Sequence, residues 1–117
     1  MNNDKDEKVN DKYVILLKIV DIVVECCAMP LPNGGMSVTR EMVLGKCRKD
    51  NVCLTRIILC RQIVNAGYTI GTIAELLDRT PNAIRKMLKQ RPSLYDCSRA
   101  FRIAEAEATL RCRDLGI

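Results

Sequence analysis

The chain has 117 residues, of which 48% are hydrophobic, and a formal net charge of +5. This is the size and composition of one folded domain. It contains no histidine, which excludes histidine acid–base catalysis, Ser-His-Asp and Cys-His nucleophile systems, and every metal site with a histidine ligand.

The chain contains seven cysteines, an odd number without any C-x-x-C pair, so the spacing does not favour a Cys-only zinc site. We expect reduced, buried thiols in a cytoplasmic protein that has no metal, no cofactor and no catalytic residues. The most apolar run, residues 14–27, is interrupted by charged residues and is too short to span a bilayer. We therefore expect no membrane partner.

The first helix is predicted over Lys12–Ala28, after a polar and disordered tail at residues 1–10. Lys18, Asp21 and Glu25 are three and four residues apart, which places them on one helical face, whereas a strand would need a spacing of two. The rest of the helix surface is apolar. Two interpretations of that surface stay open, namely central burial and the interface of a homodimer.

Two prolines and an Asn-Gly-Gly turn interrupt the chain at residues 29–36. A short helix is predicted next, over 38–44, with Ser37 or Thr39 as its N-cap. A polar loop follows at residues 46–51.

The third helix is predicted over Val52–Ala66. Its apolar face recurs at spacings of four, three and four residues, and consists of Cys53, Ile57, Cys60 and Val64. The polar residues of this helix fall largely outside that face, and these are Thr55, Arg56, Gln62 and Asn65.

The fourth and fifth helices are indicated by their caps. Thr69 precedes a helix predicted over Ile70–Leu77. Thr80 precedes a helix that begins at Pro81, where the missing amide costs no hydrogen bond. This fifth helix is predicted to end at Lys89.

The last helix is predicted over Ser93–Cys112, because Pro92 should end the helix before it. No alternating strand pattern occurs anywhere in the chain. The sequence thus predicts a single all-α domain of about six helices over residues 11–117.

Residues 70–89 have the pattern of a helix-turn-helix. Ala74 is small enough for the second helix to pass over it, and Asp78 occupies the turn, where aspartate tolerates unusual backbone angles. Four apolar residues should fill the space between the two helices and the core, and these are Ile73, Leu77, Ile84 and Met87. The other side of the second helix, about 80–89, should then face outward.

That outward side has the composition of a recognition helix. Asn82, Arg85 and Lys86 carry donors that can read base edges in the major groove. Thr80 and the free amides at the helix start can hold a phosphate. The other basic residues of this region are assigned to phosphates, and these are Arg79, Lys89 and Arg91.

Positive charge is concentrated in two segments. Residues 79–91 contain five basic and no acidic residues, and residues 40–61 contain six basic and two acidic ones. The remainder of the chain is net acidic. The sequence therefore predicts a basic surface built from these two segments.

The residues that carry a family resemblance are 38–44 leading into Arg48-Lys49, then Arg56, then Tyr68–Ala74, then Ile84-Arg85-Lys86. In this order they resemble the DNA-binding domain of the bacterial replication initiator DnaA, within the Trp-repressor-like group of helical folds. The resemblance covers about residues 12–112. It implies that the basic loop and the arginine beside it, here Arg48, Lys49 and Arg56, contact the DNA backbone and the minor groove.

The chain departs from this family at the start of the recognition helix. Where the family has Asp-His-Thr-Thr or a close variant, this chain has Thr80-Pro81-Asn82-Ala83. The phosphate-binding motif of the family's ATPase module does not occur in the sequence.

The sequence therefore predicts sequence-preferring binding of double-stranded DNA, in the regulation of transcription or replication. The alternative is an all-α interaction adaptor whose basic face binds an acidic protein. An enzyme is not expected, because no acid, base, nucleophile or cofactor motif is assembled.

Overall fold

A computed structural model describes the backbone of residues 3–117 and the side chains of residues 12–117. Its six helices are α1 (Asn3–Cys27), α2 (Arg40–Leu44), α3 (Asp50–Asn65), α4 (Ile70–Leu77), α5 (Pro81–Cys97) and α6 (Arg99–Asp114). The predicted all-α class with six helices is confirmed. Helix α1 begins at Asn3, nine residues before the predicted start at Lys12, and so includes most of the residues predicted as a disordered tail.

Helix α3 lies at the centre of the bundle, and every other helix contacts it. Its side chains Ile58, Leu59 and Ile63 are at most 1% exposed. Helix α1 packs along α3 and α6, while α5 packs on α3 and α4. The buried core is aliphatic, as the composition predicts, and Phe101 is its one aromatic member among the described residues.

The polar face of α1 lies where its spacing predicts, and two of its residues form ion pairs with other helices. Asp21 accepts a hydrogen bond from Nε of Arg40 at 2.8 Å and pairs with Nη2 of the same guanidinium, which joins α1 to α2. Glu25 pairs with Arg111 at 3.2 Å, which joins α1 to α6. Lys18 is exposed on the same face.

The apolar surface of α1 is mostly accounted for by burial. Leu16, Ile19, Val20, Ile22 and Val23 all belong to the buried core. At the start of the described part of the helix, however, three large apolar side chains are 36–49% exposed, and these are Tyr13, Val14 and Ile15.

Threonine caps set the start of three helices. Thr39, Thr69 and Thr80 each accept a hydrogen bond, at 3.2 Å, from the backbone N–H three residues later. Of the two candidates for the cap of α2, the structure selects Thr39. Asp78 ends α4 in the left-handed conformation, with φ 52° and ψ 55°, so the short turn before α5 is built as the sequence predicts.

The predicted boundary between the last two helices is wrong. Helix α5 continues through Pro92 to Cys97, and α6 begins only after Ser98. The Ser98 side chain accepts a hydrogen bond from the amide of Phe101 at 3.1 Å, so it is the true N-cap of α6. A proline inside a helix costs about 3 kcal/mol, and long-range contacts must offset that cost.

Two contacts of α5, one on each side of its proline, supply this compensation. Leu94 packs against the hydrophobic core. Arg91 lies immediately before Pro92 and forms an ion pair with Glu105 of α6. The tertiary environment therefore decides where α5 ends, and the local proline signal does not.

Three of the polar residues that the spacing placed away from the buried face of α3 are themselves buried, namely Thr55, Arg56 and Gln62. Because other helices surround α3, it has no wide solvent face for them. The Thr55 hydroxyl donates to its own helix at 2.7 Å, and Gln62 donates to the Thr109 hydroxyl of α6 at 2.9 Å. Every buried side-chain nitrogen and oxygen in the described part of the chain has a partner.

None of the helices within residues 3–117 combines the length and the apolar composition that crossing a membrane requires.

The left-handed turn at Asp78 gives a stability prediction. Glycine adopts this conformation without the steric cost that Cβ imposes, so Asp78→Gly should raise the free energy of unfolding by about 0.5–1 kcal/mol. Alanine keeps the Cβ but lacks the polar side chain that helps aspartate to adopt this conformation. Asp78→Ala should therefore lower the free energy of unfolding by a similar amount. Urea denaturation of the two variants and the wild type measures the difference. Two variants of equal stability would contradict a strained turn.

Buried thiols give a second prediction, on pH. Burial raises the pKa of Cys60 from 9.0 to about 12, so the folded protein keeps a proton that the unfolded chain loses. The stability associated with Cys60 is fully present below pH 9 and falls by about 1.4 kcal/mol per pH unit above it, until the pKa of the folded state is reached. Cys60→Ala should therefore lose stability less steeply between about pH 9 and pH 11 in urea denaturation. Parallel curves for the variant and the wild type would contradict it.

Candidate nucleic-acid interface

Helices α4 and α5 pack together through a small set of buried side chains. Ile73, Leu77 and Ile84 are 0% exposed and Ala74 is 6% exposed. Met87 is half-buried, and its sulfur lies 3.9 Å from the Cys60 sulfur of α3. This packing fixes which side of α5 faces outward.

The outward side of α5 carries polar and basic side chains. Asn82, Arg85, Lys86 and Lys89 are all exposed. Arg85 Nη1 donates to the Asn82 side-chain oxygen at 2.9 Å, so the Asn82 amide nitrogen and the remaining Arg85 donors stay available. None of these four side chains takes part in an ion pair with the described residues.

The basic loop at 46–49 lies directly beside the start of α5. Lys46 Nζ donates to the backbone oxygen of Asp78 at 3.0 Å, and it lies 3.7 Å from the Asp78 carboxylate. Arg48 and Lys49 are exposed, and neither forms an ion pair with the described residues. We call these two residues, together with Asn82, Arg85, Lys86 and Lys89, the α5–loop surface.

A cleft of about 640 Å³ lies between the first turns of α3 and the middle of α5. Asp50 and Lys89 both line it. Because Asp50 directly follows Lys49, the end of the loop borders the same cleft as Lys89. The loop thus meets the α4–α5 unit at two places, namely the turn at Asp78 and the cleft that Lys89 lines.

Arg56 does not belong to this surface, which corrects its expected contact with DNA. Its side chain is buried, with 3% of the residue exposed. Its guanidinium donates to three backbone carbonyls at the end of α2, at 2.8–3.0 Å. Burial and the charge of Arg79 lower the pKa of Arg56. It is a cation of the interior, and the exposed partner of the basic loop is α5.

Arg79 and Thr80 also use their side chains inside the protein. Arg79 is half-buried and donates to the backbone oxygens of Leu77 and Gly45, at 2.7 and 3.1 Å. The Thr80 hydroxyl oxygen accepts the capping hydrogen bond of α5. Of the two predicted phosphate contacts, only Thr80 is exposed, with its hydroxyl proton still free to donate.

Arg91 is bound within the protein as well. Its Nε donates to Glu105 at 2.8 Å, and its Nη2 pairs with the other carboxylate oxygen at 2.5 Å. This hydrogen bond raises the pKa of Arg91. Its guanidinium carbon also lies 5.1 Å from the centre of the Tyr95 ring. The Glu105 carboxylate thus neutralises Arg91. The structure therefore does not support the expected contact of Arg91 with a DNA phosphate.

The basic residues of the 40–61 segment do not form one surface. Arg40 pairs with Asp21, Arg56 is buried, and Arg48 and Lys49 are exposed. Sequence reasoning also missed Lys46, whose contact with Asp78 brings the loop to α5. No local signal predicts that contact, because the two residues lie 32 positions apart.

Comparison of the chain with protein-family models, with curated proteins and with solved structures finds no match.

The Arg91–Glu105 pair gives a stability prediction. Arg91→Leu leaves the Glu105 carboxylate, whose side chain is 7% exposed, without its partner, and should lower the free energy of unfolding by about 2–3 kcal/mol. The double variant Arg91→Leu/Glu105→Leu removes both charges and should recover most of that loss. Urea denaturation measures both. A double variant that is less stable than the single one would contradict this account.

Proposed function

We propose that this protein binds double-stranded DNA with sequence preference, using α4 and α5 as a helix-turn-helix and α5 as the recognition helix. The observation that carries the proposal is the contact between Lys46 of the basic loop and Asp78, in the turn between α4 and α5. It joins two exposed basic elements, distant in sequence, into one surface whose side chains form no ion pair with the described residues, apart from the exposed Lys46–Asp78 contact beside it.

The diameter of α5 suits a groove of DNA. An α-helix with its side chains is about 10–12 Å across, and the major groove is about 12 Å wide. Asn82 and Arg85 offer the amide and guanidinium donors that read adenine and guanine edges. Arg48 and Lys49 would then lie at the adjacent backbone, with Lys89 and Thr80 at phosphates flanking the groove.

The alternative is an adaptor that binds an acidic protein through the same surface. Charge alone does not separate the two functions. The arrangement favours DNA because amide and guanidinium donors lie together on one narrow helical face, with Lys86 and Lys89 exposed on the same helix. An acidic protein surface does not require that order.

Selection of bound duplexes from a random pool tests the proposal directly. We expect enrichment of a defined site, and affinity that falls with salt at a log–log slope of about −0.9 for each phosphate contacted. A palindromic site with half-sites one helical turn apart would indicate a homodimer, which is one of the two interpretations that the sequence leaves open. Absence of duplex binding at low salt would overturn the proposal and leave the adaptor.

Two single substitutions should separate base reading from phosphate contact. Arg85→Ala should weaken binding to the selected site by about 1–3 kcal/mol and relax its sequence preference. Lys49→Ala should weaken binding to all duplexes about equally and reduce the magnitude of the salt slope by about 1. Both are measured by titration of the selected duplex and of a scrambled duplex.

Arg113→Ala is the matched control. It removes one exposed arginine from the end of α6, outside the α5–loop surface, and should change neither the preference nor the slope by much. If the Arg85 and Lys49 variants lost affinity equally on both duplexes, the assignment of reading and anchoring residues would be wrong.

A further inference from the structure

Two guanidiniums converge on one backbone carbonyl, that of Gly45. Arg56 Nη2 donates to it at 3.0 Å and Arg79 Nη2 donates to it at 3.1 Å. Arg79 also donates to the backbone oxygen of Leu77 at 2.7 Å. We call the two arginines and this carbonyl the Gly45 clasp. Through it the end of α2 and the end of α4 are held together.

Arg56 holds the other side of the clasp. Its Nε donates to the backbone oxygen of Val43 at 2.9 Å, and its Nη2 to that of Met42 at 2.8 Å. These carbonyls belong to the last turn of α2, a helix of five residues. Arg56 itself belongs to the buried face of α3. The clasp therefore anchors the chain just before the basic loop to the centre of the bundle.

The backbone at Gly45 is closely packed. A Cβ added there would lie 2.8 Å from the backbone oxygen of Glu41, so the chain packs closely against α2 immediately before Lys46. The position of the loop is thus set by backbone contacts and by two arginines.

The clasp is costly in electrostatic terms. The two guanidiniums share one acceptor and repel each other, and no ion pair of the described residues neutralises either of them. Their common effect is to fix where the exposed loop lies relative to α5.

We propose that Arg56 and Arg79 are positioning residues that hold the 46–49 loop in register with α5, so that Arg48 and Lys49 reach DNA phosphates while α5 lies in the groove. This inference rests on the proposed function. Neither arginine contacts the DNA, although the sequence assigned both of them to it.

A double-mutant cycle on the selected duplex tests the proposal. Arg79→Met should release the loop, so that Arg48 and Lys49 no longer reach the DNA phosphates. We expect affinity to fall severalfold and the magnitude of the salt slope to fall by about 1 to 2. In the background Arg48→Ala/Lys49→Ala, the same substitution should change affinity by less than about twofold. Equal losses in the two backgrounds would show a direct contact and overturn the proposal.

Arg79→Lys separates position from charge. Lysine keeps the positive charge but cannot bridge two carbonyls with a planar fork, so this variant should bind as weakly as Arg79→Met. Recovery of wild-type affinity by lysine would show that charge alone matters and would overturn the proposal. Gly45→Ala disturbs the clasp while both arginines remain. It should also reduce affinity for the selected duplex, and this loss should disappear in the background Arg48→Ala/Lys49→Ala.

Hydrogen exchange of the loop amides, measured without DNA, distinguishes failure of the clasp from failure of DNA binding. Circular dichroism and thermal unfolding first establish that each variant is folded. Faster exchange at residues 46–49 in Arg79→Met supports the clasp, and unchanged exchange overturns it. If the wild-type protein bound no duplex, the proposed function and the positioning role would both be wrong. Faster exchange at residues 46–49 in Arg79→Met would still show that the clasp holds the loop.

Discussion

Burial of most of α3 is the constraint on which the rest of the structure depends. Every other helix packs on it, so its buried polar residues must find partners inside the protein. Gln62 does so across to α6 and Arg56 across to α2. A helix as short as α2 is not stable alone, and Arg56 holds its last carbonyls. The central helix therefore fixes the position of the chain that leads into the basic loop.

The same chemistry recurs at other helix ends. Arg79 and Lys46 donate to backbone oxygens at the end of α4, and Arg102 donates to those of Tyr95 and Asp96 at the end of α5. The last carbonyls of a helix have no intrahelical partner and carry partial negative charge, so cations stabilise them. Among the described residues, the buried core contains one aromatic side chain. Hydrogen bonds from basic side chains therefore contribute to holding the helices together.

Local signals predicted well the start of each helix that has a threonine cap, and predicted poorly the boundary between α5 and α6. Threonine caps at 39, 69 and 80 work through hydrogen bonds three residues away, which lie within the reach of sequence reasoning. The end of α5 could not be predicted in this way. Pro92 is a strong local stop signal, yet Glu105, fourteen residues beyond Arg91, helps to hold the helix through it.

Local sequence also predicted some residues of the candidate site correctly and others not. Asn82, Arg85, Lys86 and Lys89 were predicted correctly as exposed, because the buried stripe of α5 fixes its opposite face. The exposure of a basic residue in other segments depends on its nearest acceptor in space. Arg56, Arg79 and Arg91 lie in equally basic stretches of sequence, and their acceptors come from α2, α4 and α6.

The kind of acceptor also decides what remains of each charge. Arg91 and Arg40 face carboxylates, which cancel their charge at a distance. Arg56 and Arg79 face mainly carbonyls, which satisfy their donors and leave the net charge in place. These carbonyls lie just before the basic loop and at the end of α4. The two guanidiniums are thus used to hold backbone in place, which is the positioning role that we propose for them.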